Sequence, residues 1–309
     1  MKLKVQKIAQ LTGHQAAIFD ISAAKSPSAS FFSVAGDGWI VKWDMDHPET
    51  GRLVAKTDTQ LFSLHYFEHH NKLLAGNIDG GLHWIDLKTT PIAQKNIAHH
   101  RKGVFGICPV RESAITLGGE GWLTKWDVEQ MQGQESLALS NQSLRCIAYA
   151  PDRNELAIGS SDHHIYMLDA STLQVKNKIE GAHESSVFSI CYAPGGSVLL
   201  SGGRDARLKA WELDQPKNQC VMEQAAHWYT INAIAFHPAG HLFATASRDK
   251  TIKFWHYPSF ELLKVIEPLR DGGHVNSVNR LFWSSYKNQL ISCSDDRSLM
   301  IWDTTEVEE

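Results

Sequence analysis

SGGRDARLKAWEL, residues 201–213, decides how this chain is read: small residues, an acid at Asp205, a polar and apolar alternation, then Trp211 followed by an acid. The same pattern returns six more times. Its Trp position falls at Trp43, Ile85, Trp126, Leu168, Trp211, Trp255 and Trp302, and six residues before each stands Asp37, Asp79, Glu120, Asp162, Asp205, Asp249 or Asp296. Consecutive Trp positions lie 42, 41, 42, 43, 44 and 47 residues apart, so seven copies fill the 309 residues. A period of this length marks a repeat in which each copy is one supersecondary unit.

The fifth copy shows what that unit is. After His183, residues 187–192 and 197–201 are apolar and β-branched runs separated by the turn Ala193-Pro194-Gly195-Gly196. A tight turn at Gly203-Arg204-Asp205-Ala206 leads into 207–211, where polar and apolar residues alternate, and 172–179 ahead of His183 repeats the alternation. Each copy therefore predicts a four-stranded antiparallel sheet.

The dipeptides Gly13-His14 with Trp43-Asp44, and Trp302-Asp303, resemble the signature of the WD-repeat β-propeller family, and the match covers residues 1 to 303. The resemblance implies an all-β, seven-bladed propeller of four-stranded antiparallel sheets, a single domain over residues 1–309. Residues 2–11 precede His14 as 175–179 precede His183, yet no blade comes before them, and the last copy stops at Trp302-Asp303 without a fourth strand. The N-terminal strand is thus expected to complete the last blade, which also removes an exposed sheet edge. The family resemblance implies the same closure. Fold of this kind does not by itself indicate a role.

A net charge of −4 gives no general attraction to nucleic acid or anionic membrane. MKLKVQKIAQ at the start has no apolar core of signal-peptide length, and no run of about 18 apolar residues occurs, so a soluble cytoplasmic protein is expected. Cys108, Cys146, Cys191, Cys220 and Cys293 are odd in number and far apart, which fits buried thiols in a reducing compartment rather than a disulfide framework or zinc site. The pairs His69-His70, His99-His100 and His163-His164 have no metal-motif companions, so no metal and no cofactor are expected.

His14, Ser33, Asp37 and Trp43 share their spacing with three further sets: His183, Ser201, Asp205, Trp211; His227, Thr245, Asp249, Trp255; and His274, Ser292, Asp296, Trp302. Ser, His and Asp invite a hydrolase reading. Four copies in step with the fold answer a structural need instead, with Asp accepting from His, His pairing with the hydroxyl and the hydroxyl accepting from the indole. No catalytic residue is assigned. Copy three carries His100, Thr116 and Glu120; copies two (Thr57, Ala75, Ile85) and four (Ser140, Ile158, Leu168) read as having exchanged the network for apolar packing.

Function is sought on the rims. Five residues beyond the His position stand Phe19, Phe62, Phe105, Arg145, Phe188, Asn232 and Asn279. Two readings remain for them, an entrance ring at the channel mouth or packing between blades, since Ile21, Leu64, Ile107, Ile147 and Ile190 already hold the apparent core positions two residues on. Trp39 and Trp122 flank the acid turns of copies one and three, while Arg204, Arg248, Lys250 and Arg297 crowd those of copies five to seven. In the resembled family, residues beside these turns contact partner peptides, which adds Trp39, Trp122, Arg204 and Arg248 to the candidates. Arg145 is expected to lie between the Phe105 and Phe188 rings, free to meet a carboxylate. The expected function is a non-enzymatic protein-interaction scaffold, a monomer or a subunit of a hetero-complex, gripping a segment of acidic and apolar character. An enzyme or small-ligand binder using the channel mouth, and a structural subunit using the outer strands, are the alternatives.

Overall fold

The computed structural model describes residues 2–24, 28–214 and 218–307. They form seven four-stranded antiparallel sheets, the blades, and in six of them the strands lie side by side in chain order. Blade five consists of Val187–Tyr192, Val198–Gly203, Arg207–Glu212 and Gln219–Ala225. Gly195 and Gly196 turn between its first two strands with φ of 85° and 72°, a left-handed backbone that glycine adopts without steric cost. The second strand of each blade is buried on both faces, as in Glu155–Ser160, whereas the fourth, as in Gln219–Ala225, is largely exposed.

The seventh blade is assembled from both ends of the chain. Lys2–Thr12 pairs antiparallel with Ser298–Val307, from Lys2 opposite Val307 to Thr12 opposite Ser298, and Val278–Trp283 and Leu290–Ser294 complete the sheet. Leu3 and Leu11 of the N-terminal strand are buried while the residues between them alternate toward solvent. This is the closing strand that the unmatched first and last copies predict.

The blades gather into two compact units. Residues 61–230 hold blades two to five; residues 1–60 and 231–309 hold blades six, seven and one. Within each unit the core consists of apolar layers between successive sheets. Trp211 of blade five, for example, packs in one layer with Met167 and Ile165 of blade four, and Trp126 of blade three packs with Trp84 and Leu82 of blade two. First strands of successive blades touch one another, 61–67 with 104–110, then 144–150, then 187–192 in the larger unit, and 231–236 with 278–283, then 18–23 in the smaller.

All five cysteines are free thiols. Cys108, Cys146 and Cys293 are buried as expected, but Cys220 is exposed because it stands on the outermost strand of blade five, which has no sheet beyond it.

Candidate partner-binding site

Each first strand contains a β-bulge, and it falls at the same position in all seven blades. Phe19, Phe62, Phe105, Arg145, Phe188, Asn232 and Asn279 are the residues passed over when the register shifts between Ile18 and Asp20, Leu61 and Ser63, Val104 and Gly106, Leu144 and Cys146, Val187 and Ser189, Ile231 and Ala233, and Val278 and Arg280. A bulge leaves one residue out of the ladder and re-aims its side chain, which is why bulges recur beside functional sites. All seven bulge residues are half-buried, whereas their strand neighbours Ile18, Leu61, Val104, Leu144, Val187, Ile231 and Val278 are fully buried.

In the larger unit the bulge side chains touch in succession. The rings of Phe62 and Phe105 meet edge to face at 6.0 Å. The Arg145 guanidinium carbon lies 4.6 Å from the Phe105 ring centre and 5.3 Å from that of Phe188, so the cation is held between two aromatic faces. Such contacts contribute about 0.5–2 kcal/mol each, depending on exposure. Arg145 Nε donates to Ser161 Oγ at 2.8 Å, and no carboxylate pairs with the guanidinium among the described residues. Burial, with Arg204 nearby, lowers the Arg145 pKa from its ordinary value; a guanidinium remains charged regardless.

In the smaller unit the bulge positions are spent differently. Asn232 Nδ2 donates to Ser277 Oγ at 3.1 Å and to the Val278 carbonyl at 2.9 Å; Asn279 Nδ2 donates to the Ile18 carbonyl at 2.9 Å and Asp295 Oδ1 at 2.7 Å. Each amide therefore stitches its own blade to the first strand of the next. Phe19 stands against Gly36, and next to it Asp20 accepts from Arg280 at 3.0 Å.

Among the turn residues, Trp122, Arg204 and Arg248 are exposed, Trp122 by 45%, while Trp39 is half-buried against its blade's core. Two exposed aromatics went unnoticed in the sequence: Trp228 and Tyr229, 85% and 60% exposed, directly follow the blade-six His227. The signal was legible, because the other copies carry Gln15, Arg101, Glu184 or Val275 right after the His.

The His–hydroxyl–Trp sets are structural. In blades one, five and seven, Trp43, Trp211 and Trp302 each donate Nε1–H to Ser33, Ser201 or Ser292 at 2.8 Å, and the Ser hydroxyl lies 2.8 Å from Nε2 of His14, His183 or His274. An acceptor-only carboxylate on Nδ1 makes each His donate there and accept the hydroxyl proton at Nε2, which satisfies every member. Blade three repeats this with Trp126, Thr116, His100 and Glu120. The hydroxyls are wholly buried, so none can serve as a nucleophile. Burial alone would raise the Asp205 pKa, but the His183 hydrogen bond and charge, with the Arg207 and Glu184 amides, outweigh it and bring it to about 2. Asp37 and Asp296 are lowered against burial in the same way.

Blades two and four correct the expectation of purely apolar replacement. Asp162 keeps polar partners, accepting from Ser140 Oγ and Tyr166 OH at 2.6 Å each, and burial together with that bond pushes the Tyr166 pKa up to about 12. In blade two Asp79 is exposed; Asn77 instead accepts the Asp79 and Gly81 amides and meets His83, which reaches Asn96. A short polar side chain at either turn position can collect amides of the turn, and the Gly81 amide taken by Asn77 is the counterpart of the Trp39 amide taken by Asp37. Among the described residues, no group of three His, Cys, Asp or Glu is placed to hold a metal ion.

The WD40 family model, "WD domain, G-beta repeat", matches residues 5–44, 174–212, 218–256 and 263–303, about half of the chain. The chain belongs to the WD40 repeat family. Its WD40 fold is that of the propeller domain of Doa1, a solved structure with TM-score 0.84 and 19% identity that covers 97% of each chain. With the seven sheets above, this makes it a seven-bladed β-propeller. Over 187 residues it is 31% identical to probable cytosolic iron-sulfur protein assembly protein 1 of Candida glabrata, covering 58% of this chain and 42% of that one. Striatin-3 of Mus musculus is 26% identical over 252 residues, 73% of this chain and 31% of the relative. The chain thus spans less than half the length of these curated relatives.

Proposed function

We propose that this WD40 propeller is a non-enzymatic protein-interaction scaffold, and that the bulge residues of its larger unit receive a segment of acidic and apolar character. The observation that carries the reading is Arg145: a half-buried guanidinium, sandwiched between Phe105 and Phe188, with a hydroxyl but, among the described residues, no carboxylate for a partner. A peptide carboxylate would pair with its free N–H groups while an apolar neighbour covers Phe62 or Phe188, and Arg204 would steer its approach. Trp122 extends the surface toward blade three. Phe19, Asn232, Asn279, Trp39 and Arg248 offer the corresponding surface of the smaller unit, with Asn232 and Asn279 committed mainly to holding blades together. The protein is assigned to the cytosol, as a monomer or a subunit of a hetero-complex; the names of the iron-sulfur assembly relatives support the location.

The test is a peptide array of Asp or Glu next to Leu or Phe, with Asn and Gln counterparts, followed by anisotropy titrations of the best binders. Arg145→Ala and Phe188→Ala should each weaken binding by about 2 kcal/mol, roughly thirtyfold. Asp152→Ala, in the turn Pro151–Arg153 at the opposite end of blade four, should change nothing. Rim variants that bind like wild type while Asp152→Ala does not would move the site to the other end of the blades.

A further inference from the structure

The outer strand of blade two is built unlike its counterparts. In every other blade the ladder between the third and fourth strands is broken by a bulge, which passes over Val54, Gln134, Lys176, Val221, Leu263 or, in the closing strand of blade seven, Ile8. Blade two, made of Leu61–Phe67, Lys72–Asn77, Gly81–Asp86 and Ala93–Ala98, pairs from Gly81 opposite Ala98 to Asp86 opposite Ala93 without a break. Bulges bend and twist an edge away from further pairing, so the other outer strands are blunted and Ala93–Ala98 is left regular. It is the outermost strand of its sheet and is exposed at every residue but the half-buried Ile97. Its outward amides and carbonyls keep the alternation that a further strand would match.

A groove lies against this edge. Lys95 and Ile97, on the face of blade two turned toward blade three, line one side of an open cavity of about 350 Å³; Met131 and Gly133 line the other, with Trp126 at its floor. The space exists because of Gly133. In blades four, five and six the residue opposite the Trp position is Val175, Cys220 or Leu262, whereas Trp126 pairs with Gly133. A Cβ on Gly133 would have the Trp126 ring as its nearest neighbour, at 3.5 Å, an ordinary van der Waals contact, so nothing in the fold forbids a side chain there. Its absence leaves Ile97 and Met131 only half-buried. The volume exceeds the roughly 150 Å³ of a cavity that holds benzene, room enough for an aliphatic side chain brought by a guest strand. Lys95, two residues from Ile97 on the same face, sends its ammonium to the Met131 carbonyl at 2.9 Å and has no carboxylate partner among the described residues.

We propose that Ala93–Ala98 accepts an extended segment of a partner protein as a further strand of blade two, with an aliphatic residue over Ile97 filling the cavity and an acid two residues away beside Lys95. Side chains on one face of a strand recur every second residue, so the spacing of Ile97 and Lys95 sets that of the guest. A second copy of this chain is a poorer occupant. In the longest antiparallel registers that set the two Ile97 faces together, its Lys95 falls opposite or diagonal to this one, where like charges oppose pairing. The site stands apart from Arg145, which occupies a bulge on the first strand of blade four. Anisotropy titration of the full chain tests it, with dye-labelled polythreonine heptapeptides carrying Glu and Val two residues apart, in both orders because a guest strand can run either way. One order should bind; N-methylation of one alternate set of its amides should abolish binding, and methylation of the other set should be tolerated. Gly133→Leu, which places there the residue type of blade six, should leave the melting temperature unchanged and weaken binding about tenfold by filling the cavity. Lys95→Glu should move the preference to peptides with Lys in place of Glu, and Arg145→Ala should bind as wild type does. Peptides that fail to bind, that tolerate methylation of either set, or that keep their affinity for Gly133→Leu would overturn the proposal. Loss of binding in Arg145→Ala would overturn it in favour of the bulge residues, and concentration-dependent dimers in sedimentation that Gly133→Leu dissolves would overturn it in favour of a second copy.

Discussion

Replacing His183 with alanine takes one fully buried ring out of blade five and should cost about 3 kcal/mol. Ser201 loses the acceptor for its hydroxyl proton, 2.8 Å away, and keeps only the incoming bond from Trp211; a buried donor so orphaned costs about 1–3 kcal/mol. Asp205 loses one donor but retains the Glu184 and Arg207 amides. Its pKa of about 2 against an ordinary 3.8 corresponds to a net of about 2 kcal/mol left after burial has opposed its partners, and the share of His183, the first among them, is taken as about 1. A residual void of roughly 50 Å³ would add about 1 kcal/mol more. Urea denaturation at pH 7, with Thr57→Ala as comparator, measures the sum. Thr57 gives its single hydroxyl proton to the Gly38 and Thr59 carbonyls from a half-buried position, so its loss should cost under 1 kcal/mol. The pH dependence follows from the direction of the shift. Asp205 is depressed in the folded state, so its contribution is complete above about pH 4 and is lost as pH falls toward 2. The gap between wild type and His183→Ala should therefore narrow by about 1 kcal/mol between pH 5 and pH 2.5. A variant within about 0.5 kcal/mol of wild type, or a gap that does not narrow in acid, would refute the network as described.

Deleting residues 2–11 should leave Ser298–Val307 as an open strand edge and expose the pockets of Leu3 and Leu11; light scattering should report aggregation, and a soluble monomer with an unchanged melting curve would contradict it. Glu120 Oε2 is buried without a hydrogen-bond partner among the described residues; Glu120→Asp should return the carboxylate to where Asp205 collects two amides and raise stability by about 1 kcal/mol in urea titrations. Asn279→Ala removes donors from both the Ile18 carbonyl and Asp295, and thermal melts should show a loss of about 1–2 kcal/mol.

Blade number, register and the closing strand were all legible, because a period near 42 residues is imposed on every copy by the same sheet geometry. The His–hydroxyl–Trp connections were legible for the same reason: they repeat. What the sequence hid lies where a copy departs from the repeat. Asn77 takes a slot assigned by spacing to Asp79, and Tyr166 reaches Asp162 from a neighbouring strand. Spacing identifies a position, whereas hydrogen bonding selects whichever nearby side chain reaches. The bulge was invisible as geometry, although its consequence, four Phe among seven residues in one register, was plain. The orphaned oxygen of Glu120 needed coordinates, since one methylene is enough to miss two amides.

The pairing of Lys2–Thr12 with Ser298–Val307 also sets a timetable. On a ribosome adding about 5–20 residues per second, Lys2–Thr12 waits roughly 15–60 s for Ser298–Val307. During that interval Leu3 and Leu11 have no sheet to enter, while blades one to six already have all their strands within reach. Blade seven is then the last of the seven to close, and a stalled or slowly translated message would yield a nascent chain with Lys2–Thr12 still in search of a partner.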